Sequence, residues 1–130
     1  MRSGNIKLNK TALNAGVKNF GEFHNAGYRG LYNGETANDI FKRKNLKYRQ
    51  DILDFMDSDE LIYNQFRISL TDQSINNNHI YGEIEACNTH NEVGKEVRKT
   101  IRKLGGTMPE NLPTPNKSID DIEIKEISDK

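Results

Sequence analysis

Residues 88–115, NTHNEVGKEVRKTIRKLGGTMPENLPTP, decide the fold predicted for this chain. Thr89 and Glu92 have the spacing of a capping box, in which each side chain bonds the backbone amide of the other residue at a helix start. Apolar residues then recur at helical spacing along one face: Val93, Val97, Ile101 and Leu104. A glycine pair follows at once and is typical of a left-handed helix stop. The pattern therefore predicts an amphipathic helix over residues 89–104.

The flanks of this helix carry predictions of their own. On the N-terminal side, the helix begins earlier, near Ile80, if Ala86 and Cys87 continue it. On the C-terminal side, prolines exclude a continuous helix and favour an extended path, which we expect Met108 and Leu112 to anchor onto the helices. These prolines are Pro109, Pro113 and Pro115.

Residues 19–34 interleave glycines with large apolar side chains, among them Phe20, Phe23, Tyr28 and Tyr32. Glycines at short intervals break regular structure, whereas aromatic rings favour burial. We therefore expect an irregular loop that its rings pin to the core. In the alternative, the rings beside Arg29 form a stacking surface for nucleic-acid bases. Packing is the commoner use of such rings, and we favour it.

Shorter helices are predicted in the first half of the chain. Residues 1–10 are polar and are expected to fray, and residues 9–15 form a short helix that Gly16 stops. Residues 35–45 form a helix with Thr36 as its N-cap and a basic last turn. Residues 48–56 form a second short helix, and the pair is a weak candidate for a DNA-reading helix-turn-helix.

The middle of the chain predicts one further helix. Ser58 is its candidate N-cap, and acidic residues in its first turn suit the positive end of a helix dipole. The helix is expected to extend to about Thr71 or further. The three asparagines at residues 76–78 favour a connection, because their side chains bond the local backbone in turns.

These elements indicate a single all-α domain of about five helices, with an aromatic, glycine-rich loop and a proline-rich extended C-terminal segment. The domain is expected over residues 1–118 of the 130, and residues 119–130 form an acidic tail, either docked as a short helix or disordered. The single cysteine and the lack of an apolar leader predict a cytoplasmic protein, and no segment is apolar enough to span a membrane.

Catalytic chemistry is not indicated. Cys87 and His90 are spaced to share a helix face, which would suit a thiolate–imidazole pair or half of a metal site. We favour a buried small thiol and a polar histidine in the cap region. No phosphate-binding or dinucleotide-binding motif is present, and we expect no cofactor and no metal.

Basic residues are the better lead. Lys plus Arg and Asp plus Glu are 19 each, so the chain has no net basic charge. The cations nevertheless cluster in two rows, which would contact phosphates if they lay side by side. We take as candidate DNA-binding or partner-binding residues Lys42, Arg43, Lys44, Lys47, Arg49, Lys95, Arg98, Lys99, Arg102 and Lys103. The alternative is that both rows are ordinary exposed helix faces.

Several stretches between residues 18 and 119 resemble the C-terminal half of the DNA-damage-inducible protein D (DinD) family. They include NFGEF at residues 19–23, AGYRGLY at 26–32 and, most specifically, LGGTMPENL at 104–112. The resemblance implies a non-enzymatic protein that acts on RecA-type recombinase filaments on single-stranded DNA and restrains strand exchange. The family's N-terminal BRO-like, antirepressor-type half has no counterpart here, so we expect a natural short form or a fragment.

Three hypotheses follow. The first is a modulator of the DNA-damage (SOS) response that binds a recombinase filament on single-stranded DNA. The second is a nucleic-acid-binding regulator of the phage antirepressor type that uses the helix pair within residues 35–56. The third is an interaction domain that mediates dimerisation, as a homodimer, on behalf of a missing partner domain. In the first two, the acidic tail would cover the basic rows as an intramolecular competitor.

Overall fold

The computed structural model describes residues 2–116, and the predicted tail at residues 119–130 lies outside this part. The described residues form five α-helices, two 3-10 turns and no strand, so the predicted all-α class is confirmed. The helices are α1 (Arg2–Asn14), α2 (Phe20–Leu31), α3 (Ala37–Arg43), α4 (Ser58–Asn77) and α5 (Glu83–Lys103). The 3-10 turns are Ile52–Phe55 and Pro109–Asn111.

Two apolar clusters hold these helices together. The first lies between α1, α2 and the paired part of α4 and α5, and it centres on Leu8, Phe23, Ile68 and Ala86. The second lies where α2, α3 and the first 3-10 turn meet α4 and α5, and its members include Leu31, Tyr32, Ile40, Met56, Val97 and Ile101. Because α4 and α5 contribute to both clusters, this antiparallel pair is the frame on which the shorter helices pack.

The loop predicted for residues 19–34 is wrong, because α2 covers Phe20–Leu31 of this stretch. Gly27 and Gly30 face α5, and a methyl group on Gly30 would lie 2.3 Å from the carbonyl oxygen of Asn91. A methyl group on Gly94 would lie 2.7 Å from the carbonyl oxygen of Gly27. Glycine disfavours an isolated helix by about 1 kcal/mol relative to alanine. Here it permits close packing of two backbones, and Tyr28 and Tyr32 are buried as expected.

The predicted capping box at Thr89 is also wrong, because α5 begins six residues earlier, at Glu83. Thr89 lies inside the helix, where its hydroxyl donates to the carbonyl oxygen of Glu85. The true start follows Gly82, which has a φ of 112°. The carboxylate of Glu83 accepts hydrogen bonds from the amides of Lys18 and Asn19, so a tertiary contact helps to fix this end of α5. The earlier start allowed for through Ala86 and Cys87 is the one observed.

The N-terminal half departs from the prediction in two more places. Residues 2–10 belong to α1 and are not frayed, because Leu8 and Ala12 are buried against the rest of the core. The expected second helix over residues 48–56 is only the 3-10 turn Ile52–Phe55, so a helix-turn-helix is not formed. The turn is short because Asp51 caps it and the backbone is extended again at Met56.

Other boundaries are close to those expected. Thr36 and Asp39 form the capping box of α3. The N-cap of α4 is Asp57 rather than Ser58, and the helix ends at Asn77 within the asparagine run. After α5 the chain makes the turn Pro109–Asn111 and then runs extended. Pro109 is buried, and Met108 packs against the second apolar cluster as predicted.

Candidate nucleic-acid interface

A basic groove runs along the seam between α2 and α5. The close approach of the two backbones, which the glycines permit, brings the side chains that flank the crossing onto a shared surface. The groove has a volume of about 610 Å³ and is lined by Arg29, Gly30, Asn33, Gly34, Asn91, Lys95, Arg98, Lys99 and Arg102. Five of these residues are cations and none is an acid. The groove therefore combines positive charge with amide side chains that can donate hydrogen bonds.

The periodicity of α5 explains why these cations share one side. Lys95, Lys99 and Arg102 lie four and then three residues apart, which places them along a single stripe of the helix. Arg29 comes from the last turn of α2 and faces the same groove. Ion pairs here are weak, because Lys95–Glu92 and Arg29–Glu22 span 3.6 and 3.8 Å between exposed side chains. These cations are thus available to an anionic ligand.

Arg98 has a different role from its neighbours. Its guanidinium makes two bonds of 2.8 Å to the carboxylate of Glu110 and a third to the carbonyl oxygen of Leu31. Hydrogen bonding with Glu110 raises the pKa of Arg98. Burial by itself raises the pKa of Glu110, but the bonds from Arg98 outweigh it and lower that pKa. Arg98 therefore forms a wall of the groove and fixes the second 3-10 turn onto α2 and α5.

In the first predicted basic row, Arg43 and Lys44 form bonds within the fold, whereas the other members are exposed. Arg43 pairs with Glu35 at 2.9 Å and donates to the carbonyl oxygen of Glu110. Lys44 is fully buried: its ammonium lies 2.7 Å from Glu60 and also donates to the hydroxyl of Thr114. Lys44 cannot contact a nucleic acid in this conformation, because its charge is used inside the fold.

The other members of that row are exposed but lie elsewhere. Lys42, Lys47 and Arg49 are solvent-exposed on α3 and the loop after it, and they do not line the groove between α2 and α5. Arg49 lies over the ring of Tyr48. Of the second predicted row, Lys95, Lys99, Arg102 and the partly covered Arg98 line the groove, whereas Lys103 is exposed and does not line it. The two rows do not merge into one surface, although Arg43 of the first row and Arg98 of the second both bind Glu110.

Some groove residues were not among the predicted site residues. The sequence indicates Arg29 only as a neighbour of aromatic rings, and it offers no motif that marks Asn33 or Asn91. The available signal was the glycine spacing of residues 27–30 together with Gly94, which marks two helices in close contact. The base-stacking alternative is not supported by the rings near Arg29, because Tyr28 and Tyr32 are buried.

The Cys87–His90 pair does not form a reactive site. His90 is completely buried inside α5, not in a cap region, and its ring bonds Arg67 and the carbonyl oxygen of Phe23. Burial raises the pKa of the half-buried Cys87 thiol, which makes the thiolate less available. Across residues 2–116, no group of histidine, cysteine and acidic side chains is arranged to hold a metal ion. No helix in that range is long and apolar enough to cross a membrane.

Comparison with known proteins places the chain in a family. Residues 1–122 match the family model described as the DinD C-terminal domain. The chain is 44% identical over 126 residues to DNA damage-inducible protein D of Escherichia coli (strain K12). The match covers 95% of this chain and 46% of that relative, so the chain spans about half the length of the curated relative. No protein of solved structure gives a significant match. The chain therefore belongs to the DinD family and corresponds to the C-terminal part of its longer members.

Proposed function

We propose that this chain is a non-enzymatic binding module of the DNA-damage response that uses the basic groove to contact single-stranded DNA in a recombinase filament. The observation that carries the proposal is the groove itself, in which Arg29, Lys95, Lys99 and Arg102 converge with no acidic residue in the lining. Lysine and arginine arrayed along one surface supply the phosphate contacts on which nucleic-acid affinity depends.

The geometry suits a strand rather than a single small anion. Lys95 and Arg102 lie seven residues apart on α5, a rise of about 10 Å along the helix, and Arg29 extends the surface onto α2. Asn33 and Asn91 add donors and acceptors between the charges. A surface of this length favours a repeating anionic ligand such as a phosphodiester backbone.

The choice of a recombinase filament is supported by family membership. The Escherichia coli relative is called DNA damage-inducible protein D, and resemblance to the family implies binding to filaments of a RecA-type recombinase. The groove supplies the contact to DNA, and a further contact to recombinase would raise the affinity for coated over naked DNA through avidity.

Fluorescence anisotropy with a labelled single-stranded oligonucleotide, naked and recombinase-coated, tests the proposal. The triple variant K95Q/K99Q/R102Q is compared with the matched variant K42Q/K47Q/R49Q, which removes the same charge outside the groove. We expect the groove variant to bind the coated strand at least about tenfold more weakly and with a shallower salt dependence. The matched variant should bind like the unaltered protein.

Two outcomes would overturn the proposal. If neither naked nor coated DNA binds the protein, both the DNA contact and the filament contact are wrong. If the two variants lose affinity equally, binding depends on net charge rather than on the groove. Tight binding to naked duplex DNA with a steep salt dependence would instead favour the antirepressor-type regulator.

A further inference from the structure

A second surface, separate from the basic groove, lies on the seam between α4 and α5. Ile62, Phe66 and Leu104 are 57%, 50% and 79% exposed there. They border an apolar depression of about 320 Å³ whose lining also includes Val97 and Ile101. Exposed apolar side chains that are contiguous mark an interaction surface more often than isolated ones do. This surface and the basic groove share no lining residue.

The seam continues beyond this depression. A second depression of about 370 Å³ is lined by Leu70 and Ser74 of α4 and by Glu92, Val93 and Glu96 of α5, among others. Because α4 and α5 are antiparallel, the residues of both depressions follow one another along a single face. We call this the α4–α5 face.

The charges of the α4–α5 face are distributed unevenly along α5. Glu92 and Glu96 are exposed and line the second depression at one end. Lys103 lines neither depression but is exposed at the other end, next to Leu104 of the first. Glu96 and Lys103 lie seven residues apart, which is two helical turns and hence the same side of α5. Thr100 lies between them and is also exposed.

We propose that the α4–α5 face is a self-association interface between two copies of this chain, related by a twofold axis near Thr100. An axis at this position runs the two α5 helices antiparallel, so Glu96 of each copy faces Lys103 of the other. A twofold interface uses the same patch on both copies and must be complementary to itself. An acidic end and a basic end on either side of an apolar centre meet this requirement.

The apolar residues fit the same arrangement. Phe66 borders the central part of the seam, near Thr100 and Val97, so the axis brings it close to its own copy. Ile62 on one side of Phe66 then approaches Leu70 of the second copy on the other side. Self-association covers the exposed apolar area and adds two ion pairs, and the apolar residues it covers are not among those that line the basic groove.

Sedimentation equilibrium of the full chain at concentrations up to about 100 µM tests this interface, without DNA or recombinase. We expect a concentration-dependent dimer that F66D converts to a monomer. The matched control I84D places an acid at an apolar residue of α5 that is also exposed, 72%, but lies outside the face, and it should dimerise normally. Circular dichroism of F66D shows whether its helices are retained.

If F66D fails to fold, variants that exchange the charges of Glu96 and Lys103 still test the interface. E96K and K103E should each weaken the dimer by about tenfold, since each turns two attractions into repulsions, and the double variant E96K/K103E should recover it. A full chain that stays monomeric, a dimer that F66D does not change, or a double variant no better than the single ones would overturn the proposal. So would a dimer that appears only when residues 117–130 are removed, because another occupant would then cover the face.

Discussion

Nη1 of Arg67 lies 2.6 Å from Nε2 of His90, and both side chains are buried in the core where α2, α4 and α5 meet. An arginine can only donate, so Nε2 must accept. Nδ1 of the same ring lies 2.8 Å from the carbonyl oxygen of Phe23 and must donate to it. These two contacts fix His90 as the neutral tautomer with its proton on Nδ1.

Acidification should destabilise the protein because of this arrangement. Burial and the nearby charge of Arg67 lower the pKa of His90 well below its ordinary value, and the same two causes lower the pKa of His24 to about 4. A histidine whose folded pKa is depressed binds protons more tightly when unfolded. Its contribution to the free energy of unfolding is therefore lost as the pH falls below the unfolded pKa of about 6.5. By pH 5, we expect each histidine to lower the free energy of unfolding by an amount on the order of 2 kcal/mol.

Urea denaturation at pH 7.5 and at pH 5 measures this loss. His90→Gln should remove one of the two contributions to the pH dependence. We also expect this variant to be less stable at pH 7.5 than the unaltered protein. His79→Asn is the control, since His79 is exposed and its φ of 51° suits asparagine. A free energy of unfolding that is equal at both pH values would contradict the assigned tautomer and burial.

The packing of α2 on α5 predicts that Gly94 tolerates no side chain. In Gly94→Ala the new methyl group would lie 2.7 Å from the carbonyl oxygen of Gly27, and backbone cannot move aside as a side chain can. We expect a loss of about 2–3 kcal/mol in the free energy of unfolding. Gly21→Ala is the matched control, because it lies on an exposed part of α2 and should stabilise the helix by up to about 1 kcal/mol.

The buried pair Lys44–Glu60 predicts that substitution of Lys44 lowers the stability of the protein far more than substitution of the nearby Lys42. Lys44→Met leaves the buried carboxylate of Glu60 without its cation, which costs about 3–5 kcal/mol. Lys42→Met, at an exposed position of α3, should change the stability by less than about 0.5 kcal/mol. The double variant Lys44→Met/Glu60→Gln should recover part of the loss in thermal or chemical unfolding. Equal stability of the two lysine variants would contradict the buried pair.

Arg98 and Arg102 both line the basic groove, but we expect substitution of Arg98 to lower the stability and substitution of Arg102 to weaken DNA binding. Arg98→Gln removes the partner of the partly buried Glu110 and is expected to cost about 1–3 kcal/mol of stability. Arg102→Gln lies on the exposed stripe and should leave stability within about 0.5 kcal/mol while it weakens binding to DNA. Paired measurements of unfolding and of oligonucleotide affinity distinguish the two roles.

Removal of residues 119–130 tests whether the acidic segment competes with DNA. This segment contains Asp120, Asp121, Glu123, Glu126 and Asp129 against two lysines. If it competes for the groove, the truncated chain should bind single-stranded DNA more tightly, most clearly at low salt. An unchanged affinity and salt slope would reject the competition.

Features that depend on a local pattern of residues can be predicted from the sequence alone. Apolar spacing identified α5 and its C-terminal stop, and the Thr36–Asp39 spacing identified the start of α3. Helix periodicity and capping involve residues only a few positions apart, so they can be identified locally. The Thr89–Glu92 spacing nevertheless misplaced the start of α5, which a contact with Lys18 and Asn19 helps to fix. The all-α class follows from the same local patterns.

Features that depend on partners distant in sequence are set by how the helices pack. The glycines of residues 19–34 discourage a helix locally, but the helix forms here because α5 packs directly against Gly27 and Gly30. The basic rows look uniform in the sequence, yet Lys44 and Arg98 are bound by Glu60 and Glu110, whereas Lys99 and Arg102 face the groove. Burial and ion pairing are non-local, so the stretch at residues 88–115 specified a helix and its exit but not which of its charges remain open to a ligand.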